Sequence, residues 1–124
     1  MPAIRIAAGA ALSMLLVHPV DAQPAQLVVQ VYSFGFAPHP IHLAAGKPVT
    51  LSFVNQSGSG HDFSAPGFFQ HAKITAGSAP DNEIELRPHE TKSITLVPAR
   101  GTWQAHCNHF LHKQMGMSDT IVVY

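Results

Sequence analysis

Residues 103–117 read Trp103-Gln104-Ala105-His106-Cys107-Asn108-His109-Phe110-Leu111-His112-Lys113-Gln114-Met115-Gly116-Met117. Cys107 is the only cysteine of the chain, and His112 and Met117 follow it at five and ten positions. A thiolate and a thioether are soft donors that suit Cu(I), and imidazole suits copper in either oxidation state. The spacing therefore predicts a copper site on the loop between a strand that ends near Cys107 and the last apolar run of the chain.

A copper site of this kind uses two imidazoles, one thiolate and a weak axial thioether, so a second histidine must come from elsewhere in the chain. His61, in the glycine-containing stretch Gly58-Ser59-Gly60-His61-Asp62-Phe63, is the candidate. Met115 is an alternative axial ligand, but Gly116-Met117 leads straight into the last strand and favours Met117. We therefore predict His61, Cys107, His112 and Met117 as metal ligands.

The remaining histidines receive other interpretations. His109 lies within the ligand loop and either bonds to the backbone or takes part in a second, weaker metal site. His106 should point away from Cys107 because neighbouring strand residues face opposite sides. We interpret four more as surface residues: His39, His42, His71 and His89. A structural zinc site made of His61, Cys107, His109 and His112 is an alternative, since zinc takes tetrahedral sets of histidine and cysteine; it leaves Met117 unexplained.

The N-terminal segment has the pattern of a secretory signal peptide. Arg5 supplies one positive charge, residues 6–17 are mainly apolar, and Val20-Asp21-Ala22 precedes a predicted cleavage site before Gln23. The apolar run is shorter than the roughly 20 residues that span a bilayer. We predict residues 1–22 as signal peptide, residues 23–124 as a single domain, and a periplasmic location without a membrane anchor after cleavage.

The net charge points to no particular partner, whereas the cysteine count supports a metal site. The chain has seven basic and seven acidic residues, so nothing favours binding to nucleic acid or an anionic membrane. A single cysteine cannot form an internal disulfide, and a free thiol is at risk in an oxidising compartment. A buried inert cysteine is the usual explanation, but a bound metal would hold the thiol as thiolate and protect it.

Alternating apolar residues predict an all-β fold. The segments with strand character are residues 26–36, a short piece around Ile41 and Leu43, 49–54, 83–86, 93–97, 102–107 and 119–124. Residues 67–75 predict one or two helical turns. Six or seven short strands separated by turn signals in about 100 residues indicate a two-sheet antiparallel sandwich with one short helical segment.

At its ligand motifs the chain resembles the cupredoxins, and in particular a group of small periplasmic single-domain members similar to azurin and plastocyanin. The resemblance rests on two stretches, Gly60-His61-Asp62-Phe63-Ser64-Ala65-Pro66 and Cys107-Asn108-His109-Phe110-Leu111-His112. It implies a Greek-key β-sandwich with one type 1 copper ion near one end, held by His61, Cys107, His112 and Met117.

Two departures from related patterns matter. Multicopper oxidases place a histidine on each side of the copper cysteine, whereas position 108 is Asn here, so we expect no oxidase activity and no enzyme. Azurin-like proteins carry Asn after the first ligand histidine, where this chain has Asp62. We expect Asp62 to alter the hydrogen bonds between the ligand loops.

The sequence thus predicts a monomeric one-electron carrier that cycles between Cu(I) and Cu(II) and docks on a redox partner protein. An exposed apolar collar of Phe68, Phe69, Phe110 and Leu111 is one candidate docking surface; alternatively, Phe68 and Phe69 only attach their short helix to the sandwich. The alternative function is a periplasmic copper carrier or resistance protein that buffers copper or delivers it to a copper-handling partner.

Overall fold

Strands dominate the computed structural model, which describes residues 2–16, 23–109 and 117–124. The elements are β1 Ala25–Tyr32, β2 Gly35–Ala37, β3 Ile41–Leu43, β4 Val49–Asn55, β5 His61–Ser64, α1 Pro66–His71, β6 Lys73–Ala76, a 3₁₀ turn at Pro80–Asn82, β7 Glu83–Leu86, β8 Thr91–Val97, β9 Gly101–His106 and β10 Ser118–Val123. Residues 2–16 form no helix or strand and are exposed. A search of the described residues for a membrane-spanning helix finds none of sufficient length and hydropathy.

The strands form two five-stranded sheets. One has the order β2-β1-β4-β8-β6 and the other β3-β10-β9-β5-β7. The all-β prediction is confirmed, but the antiparallel prediction is incomplete, because β1 pairs with β4 and β10 pairs with β3 in parallel. The predicted strand over residues 26–36 is divided by a turn in which Phe34 has a φ of 69°.

Alternation along the strands builds the core between the sheets. In β4, Val49, Leu51 and Phe53 are buried, as predicted, while the residues between them are partly exposed. Phe63 of β5 meets Phe53 across the sandwich, with ring centroids 4.8 Å apart. This packing fixes β5, the strand that begins with His61.

The predicted helix over residues 67–75 is partly wrong. Helix α1 begins at Pro66, a residue type favoured in the first helical turn, and ends at His71. Lys73–Ala76 then forms β6, which pairs with β8 at the edge of its sheet. All four β6 residues are exposed, so no apolar alternation marks this strand in the sequence.

Candidate metal centre

Three of the four predicted ligands lie at one end of the second sheet. His61 is the first residue of β5, Cys107 follows the last residue of β9, and Met117 precedes β10. His61 is 1 % exposed and the other two side chains are 0 % exposed. His112 and the alternative ligand Met115 lie outside the described residues.

The side chains of His61 and Cys107 converge from distant parts of the sequence. Nδ1 of His61 lies 3.9 Å from Sγ of Cys107. In zinc sites, metal–nitrogen bonds are about 2.0 to 2.1 Å and metal–sulfur bonds about 2.3 Å. The 3.9 Å separation is shorter than the sum of two such bonds, so one first-row metal ion can contact both atoms.

The two ends of the ligand loop are joined by the backbone. The N–H of Cys107 donates to the carbonyl of Met117 at 3.0 Å. The ladder continues from there, since His106 pairs with Ser118 and Ala105 with Asp119 in the antiparallel β9–β10 register. Cys107 and Met117 therefore stand side by side, each anchored by a strand.

Asp62 connects the two loops that carry His61 and Cys107. Its backbone N–H approaches Sγ of Cys107 at 3.5 Å, and its carboxylate accepts a hydrogen bond of 2.7 Å from the backbone N–H of Asn108. Asp62 itself is buried. The bond between the loops therefore runs from the backbone N–H of Asn108, the residue after Cys107, to the carboxylate of Asp62.

Burial governs the protonation of the metal-free thiol. Desolvation raises the pKa of Cys107 above its usual value of 9.0, while hydrogen bonds from the backbone of Asp62 and His109 lower it. Desolvation is the largest of these effects on the pKa, and it acts by disfavouring the charged thiolate. A cation bound at this thiol would reverse that preference, because a coordinating thiol is deprotonated.

Known structures share this arrangement of strands. The chain superposes on a crystal structure of auracyanin B with a TM-score of 0.59 and 25% identity, covering 85% of this chain and 93% of that one. Dithionite-reduced auracyanin from the photosynthetic bacterium Roseiflexus castenholzii gives a TM-score of 0.62 at 16% identity, covering 83% and 99%. The fold is cupredoxin-like.

A third structure agrees with this fold. Auracyanin A, described as a "blue" copper protein from the green thermophilic photosynthetic bacterium Chloroflexus aurantiacus, gives a TM-score of 0.57 at 19% identity, covering 81% of this chain and all of that one, 100%. No protein-family model and no curated protein sequence matches the chain.

The donor set at the end of this cupredoxin-like sandwich fits a copper ion. Thiolate and thioether are soft donors that suit Cu(I), and imidazole suits copper in either oxidation state; His61, Cys107 and Met117, which carry these donors, are all buried. A zinc site would give no role as a ligand to Met117, whose backbone is bonded to that of Cys107.

The apolar collar proposed around the site is wrong for its two helical members. Phe68 and Phe69 are 1 % and 3 % exposed, and Phe69 packs edge-on against Phe63 of the core. They attach α1 to the sandwich. Phe110 and Leu111 lie outside the described residues.

The four histidines interpreted as surface residues are exposed, as predicted, but two of them make contacts that the sequence did not indicate. The four are His39, His42, His71 and His89. His39 nevertheless contacts buried Asp119, with Nδ1 2.6 Å from Oδ1. His71 stacks on Trp103, with ring centroids 4.9 Å apart. The first contact joins the β2–β3 connection to β10 just after Met117.

His109 contacts an acidic residue that sequence reasoning missed. Its Nε2 lies 2.8 Å from Oε1 of Glu85 on β7, and the donor atoms of Asp62, Glu85 and His109 all lie within 4.8 Å of one another. The three residues come from separate segments, so only the strand register reveals the group. The only hint in the sequence was that Glu83 and Glu85 alternate with apolar residues, which places both glutamates on one face of a strand.

Proposed function

We propose that this chain is an exported mononuclear type 1 copper protein that carries one electron between partner proteins. The observation that supports the proposal best is the 3.9 Å approach of His61 Nδ1 to Cys107 Sγ, both buried, at one end of a cupredoxin-like sandwich. Met117, which is buried and joined to Cys107 by a backbone hydrogen bond, is proposed as the axial ligand, and His112 is proposed as the fourth ligand.

Bound copper supplies a one-electron couple between Cu(I) and Cu(II), two states that prefer different geometries. The chain contributes rigidity. Cys107 is fixed by β9 and its bond to Met117, and His61 is fixed by the pairing of β5 with β7, in which it lies opposite Leu86. Ligands that are held by paired strands change position little when the charge of the metal changes.

The site also controls the electronic environment of the thiolate. The N–H of Asp62 points to Sγ of Cys107 and stabilises negative charge on the sulfur. His61, Cys107 and Met117 are buried, which would limit contact between water and a copper ion bound to them. We propose that the electron enters and leaves through the imidazole of His112.

The N-terminal segment bears on where the protein acts. Residues 1–22 are proposed to direct export and to be removed, which leaves residues 23–124 as the functional domain in the periplasm. A single cysteine that is buried and ready to bind metal is compatible with an oxidising compartment. We further propose that the protein is a monomer that meets its redox partner transiently.

Optical and paramagnetic resonance spectra of the Cu(II) protein test the site. We expect intense visible absorption from the thiolate–copper bond, which the Cys107→Ser variant loses. A His61→Gln variant should change both spectra, whereas His89→Gln, a change at an exposed histidine, should change neither. Full retention of colour in Cys107→Ser would refute the assignment.

A second measurement separates electron transfer from copper delivery. An electron carrier retains one copper per chain in both oxidation states and exchanges electrons rapidly with its own oxidised form. Slow self-exchange together with release of Cu(I) to a competing chelator would instead support the carrier or resistance function.

A further inference from the structure

We propose that Asp62, Glu85 and His109 form a second metal site, separate from the proposed copper site, that binds a borderline divalent transition metal ion such as Zn²⁺. The site lies where β5, β7 and the start of the ligand loop meet. Its donor atoms lie within 4.8 Å of one another.

The strand register places two carboxylates in direct opposition. Asp62 on β5 pairs with Glu85 on β7, and directly opposed side chains share one face of the sheet. Like charges at such positions destabilise a strand pair. A cation between the two carboxylates reverses this effect, so the register itself favours occupation by a positive charge.

Burial strengthens the attraction for a cation. Asp62 is only 3 % exposed. Removing an ionised carboxylate from water is costly unless it gains compensating partners, and a bound cation would be such a partner. The bond that Asp62 accepts from the Asn108 N–H uses one of about four lone-pair positions, so acceptor capacity remains for a metal. Glu85 is exposed and can adjust its side chain.

His109 supplies the donor that gives the site its preference among metals. Its Nε2 lies 2.8 Å from Oε1 of Glu85, so the imidazole already faces the carboxylate. The ring packs closely over the chain at residue 60, where an added Cβ on Gly60 would lie 3.1 Å from Cε1 of His109. Imidazole with carboxylates suits zinc and other first-row ions better than calcium or magnesium, which prefer oxygen donors alone.

The proposed site is distinct from the copper ligand set. On β5, His61 and Asp62 face opposite sides of the sheet because successive strand residues alternate. His61 lies opposite buried Leu86, whereas Asp62 lies opposite exposed Glu85. The ring centroids of His61 and His109 are 6.3 Å apart, and the two ligand sets share no side chain.

Calorimetric titration of Zn²⁺ into the copper-loaded full chain tests the proposal. Copper must be present first because Zn²⁺ could otherwise occupy the site of Cys107. We expect one additional Zn²⁺ per chain with a dissociation constant below about 1 mM. Glu85→Gln and His109→Gln should each weaken this binding at least tenfold, since each removes a ligand.

Two matched variants control for charge and for histidine content. Glu83→Gln removes a neighbouring carboxylate of the same strand, and His71→Gln removes a histidine that stacks on Trp103. Both should keep the additional Zn²⁺. The proposal is overturned if no Zn²⁺ binds up to about 1 mM, or if Glu85→Gln and His109→Gln bind it as wild type does.

The same titration on the Cys107→Ser variant separates this proposal from the proposed function. That variant lacks the thiolate of the copper site but keeps Asp62, Glu85 and His109. If wild type fails to show the copper spectrum and Cys107→Ser still binds one Zn²⁺ that depends on Glu85, the second site stands and the copper assignment fails.

Discussion

The Asp62 carboxylate accepts a 2.7 Å hydrogen bond from the backbone N–H of Asn108. Each residue directly follows a proposed ligand, His61 or Cys107, so this bond sets the distance between the two ligand-bearing segments. Removal of the acceptor should therefore affect stability and the metal centre together.

Substitution of Asp62 separates the hydrogen bond from the charge. Asp62→Ala should lower the free energy of unfolding by about 1 to 3 kcal/mol, the usual cost of removing one partner of a buried bond. Asp62→Asn keeps an acceptor oxygen and should lose less. Loss of the negative charge should raise the copper reduction potential in both variants, because Cu(II) carries more positive charge than Cu(I).

Chemical denaturation and potentiometry measure these two effects. The control is Asp81→Asn, which removes an exposed carboxylate outside the site. Equal stability of Asp62→Ala and wild type would show that the bond to Asn108 does not hold the loops together.

The sequence was sufficient to predict the class of fold because the strands with a buried face carry alternating apolar residues. Val49, Leu51 and Phe53 illustrate this, since all three are buried on one face of β4. Strand β6 was missed because its residues are all exposed and only its pairing with β8 makes it a strand. Parallel pairing of β1 with β4 was missed because it depends on contacts between distant segments.

The candidate site was partly predictable because some of its residues lie in recognisable sequence patterns. Cys107 and Met117 are marked by their spacing, and His61 by its loop. The structure brings His61 to 3.9 Å from Cys107 and joins Met117 to Cys107 through the backbone. The role of His112 remains a prediction. Glu85 could not be linked to Asp62 and His109 from sequence, because that link requires the β5–β7 register.

Phe63 should be among the most sensitive positions of the core. Its ring meets those of Phe36, Phe53 and Phe69 at centroid distances of 5.2, 4.8 and 6.2 Å. Phe63→Ala should lower the free energy of unfolding by about 3 to 5 kcal/mol, because a cavity remains between the sheets. Val28→Ala, at a residue 51 % exposed, should change it by less than about 0.5 kcal/mol.

Urea denaturation followed by tryptophan fluorescence provides this comparison. Similar midpoints for the two variants would mean that the aromatic cluster does not join the sheets. The fluorescence reports on one site only, since Trp103 is the single tryptophan of the chain.

Gly101 should tolerate no side chain, because its φ is positive and the indole of Trp103 lies close to it. Its φ is 148°, and an added Cβ would lie 3.0 Å from Cζ2 of Trp103. Gly101→Ala should cost about 1 to 3 kcal/mol of stability from backbone strain alone, with a further loss from the displaced indole. Gly46→Ala is the matched control, because Gly46 has a φ of 73° with open space around it.

The emission maximum of Trp103 separates the two contributions. It should shift in Gly101→Ala and stay unchanged in Gly46→Ala, although both variants lose stability. An unchanged spectrum in Gly101→Ala would contradict the close contact between that glycine and the indole.

Glu90 should give the stability of the protein a small dependence on acid. The Arg87 backbone N–H donates to its carboxylate at 3.0 Å and, with a smaller effect of Lys92, lowers the pKa of Glu90 below 4.5. A lowered pKa means that the stabilisation is present above the unfolded-state pKa and is lost as the pH falls. Glu90→Gln should therefore be less stable than wild type at neutral pH, and the difference should shrink as the pH falls below the unfolded-state pKa.

Denaturation midpoints at several pH values measure this difference. Lys92→Gln should retain most of the acid dependence, because the backbone bond from Arg87 is the larger cause. A Glu90→Gln deficit that stays constant with pH would assign the effect to something other than ionisation.

The reactivity of Cys107 should report on metal occupancy and on burial separately. In the metal-free protein its side chain is 0 % exposed and burial raises its pKa above 9.0, so little thiolate exists at neutral pH. Because the thiolate is the reactive form, alkylation by iodoacetamide should be slow and should still be accelerating above about pH 9. Copper-loaded protein should not react, since the metal occupies the sulfur. Mass spectrometry over time gives the alkylation rates of the metal-free and the copper-loaded protein, and the urea-unfolded chain is the reference for an accessible thiol. Fast alkylation of the folded, metal-free chain at neutral pH would contradict a buried, protonated thiol.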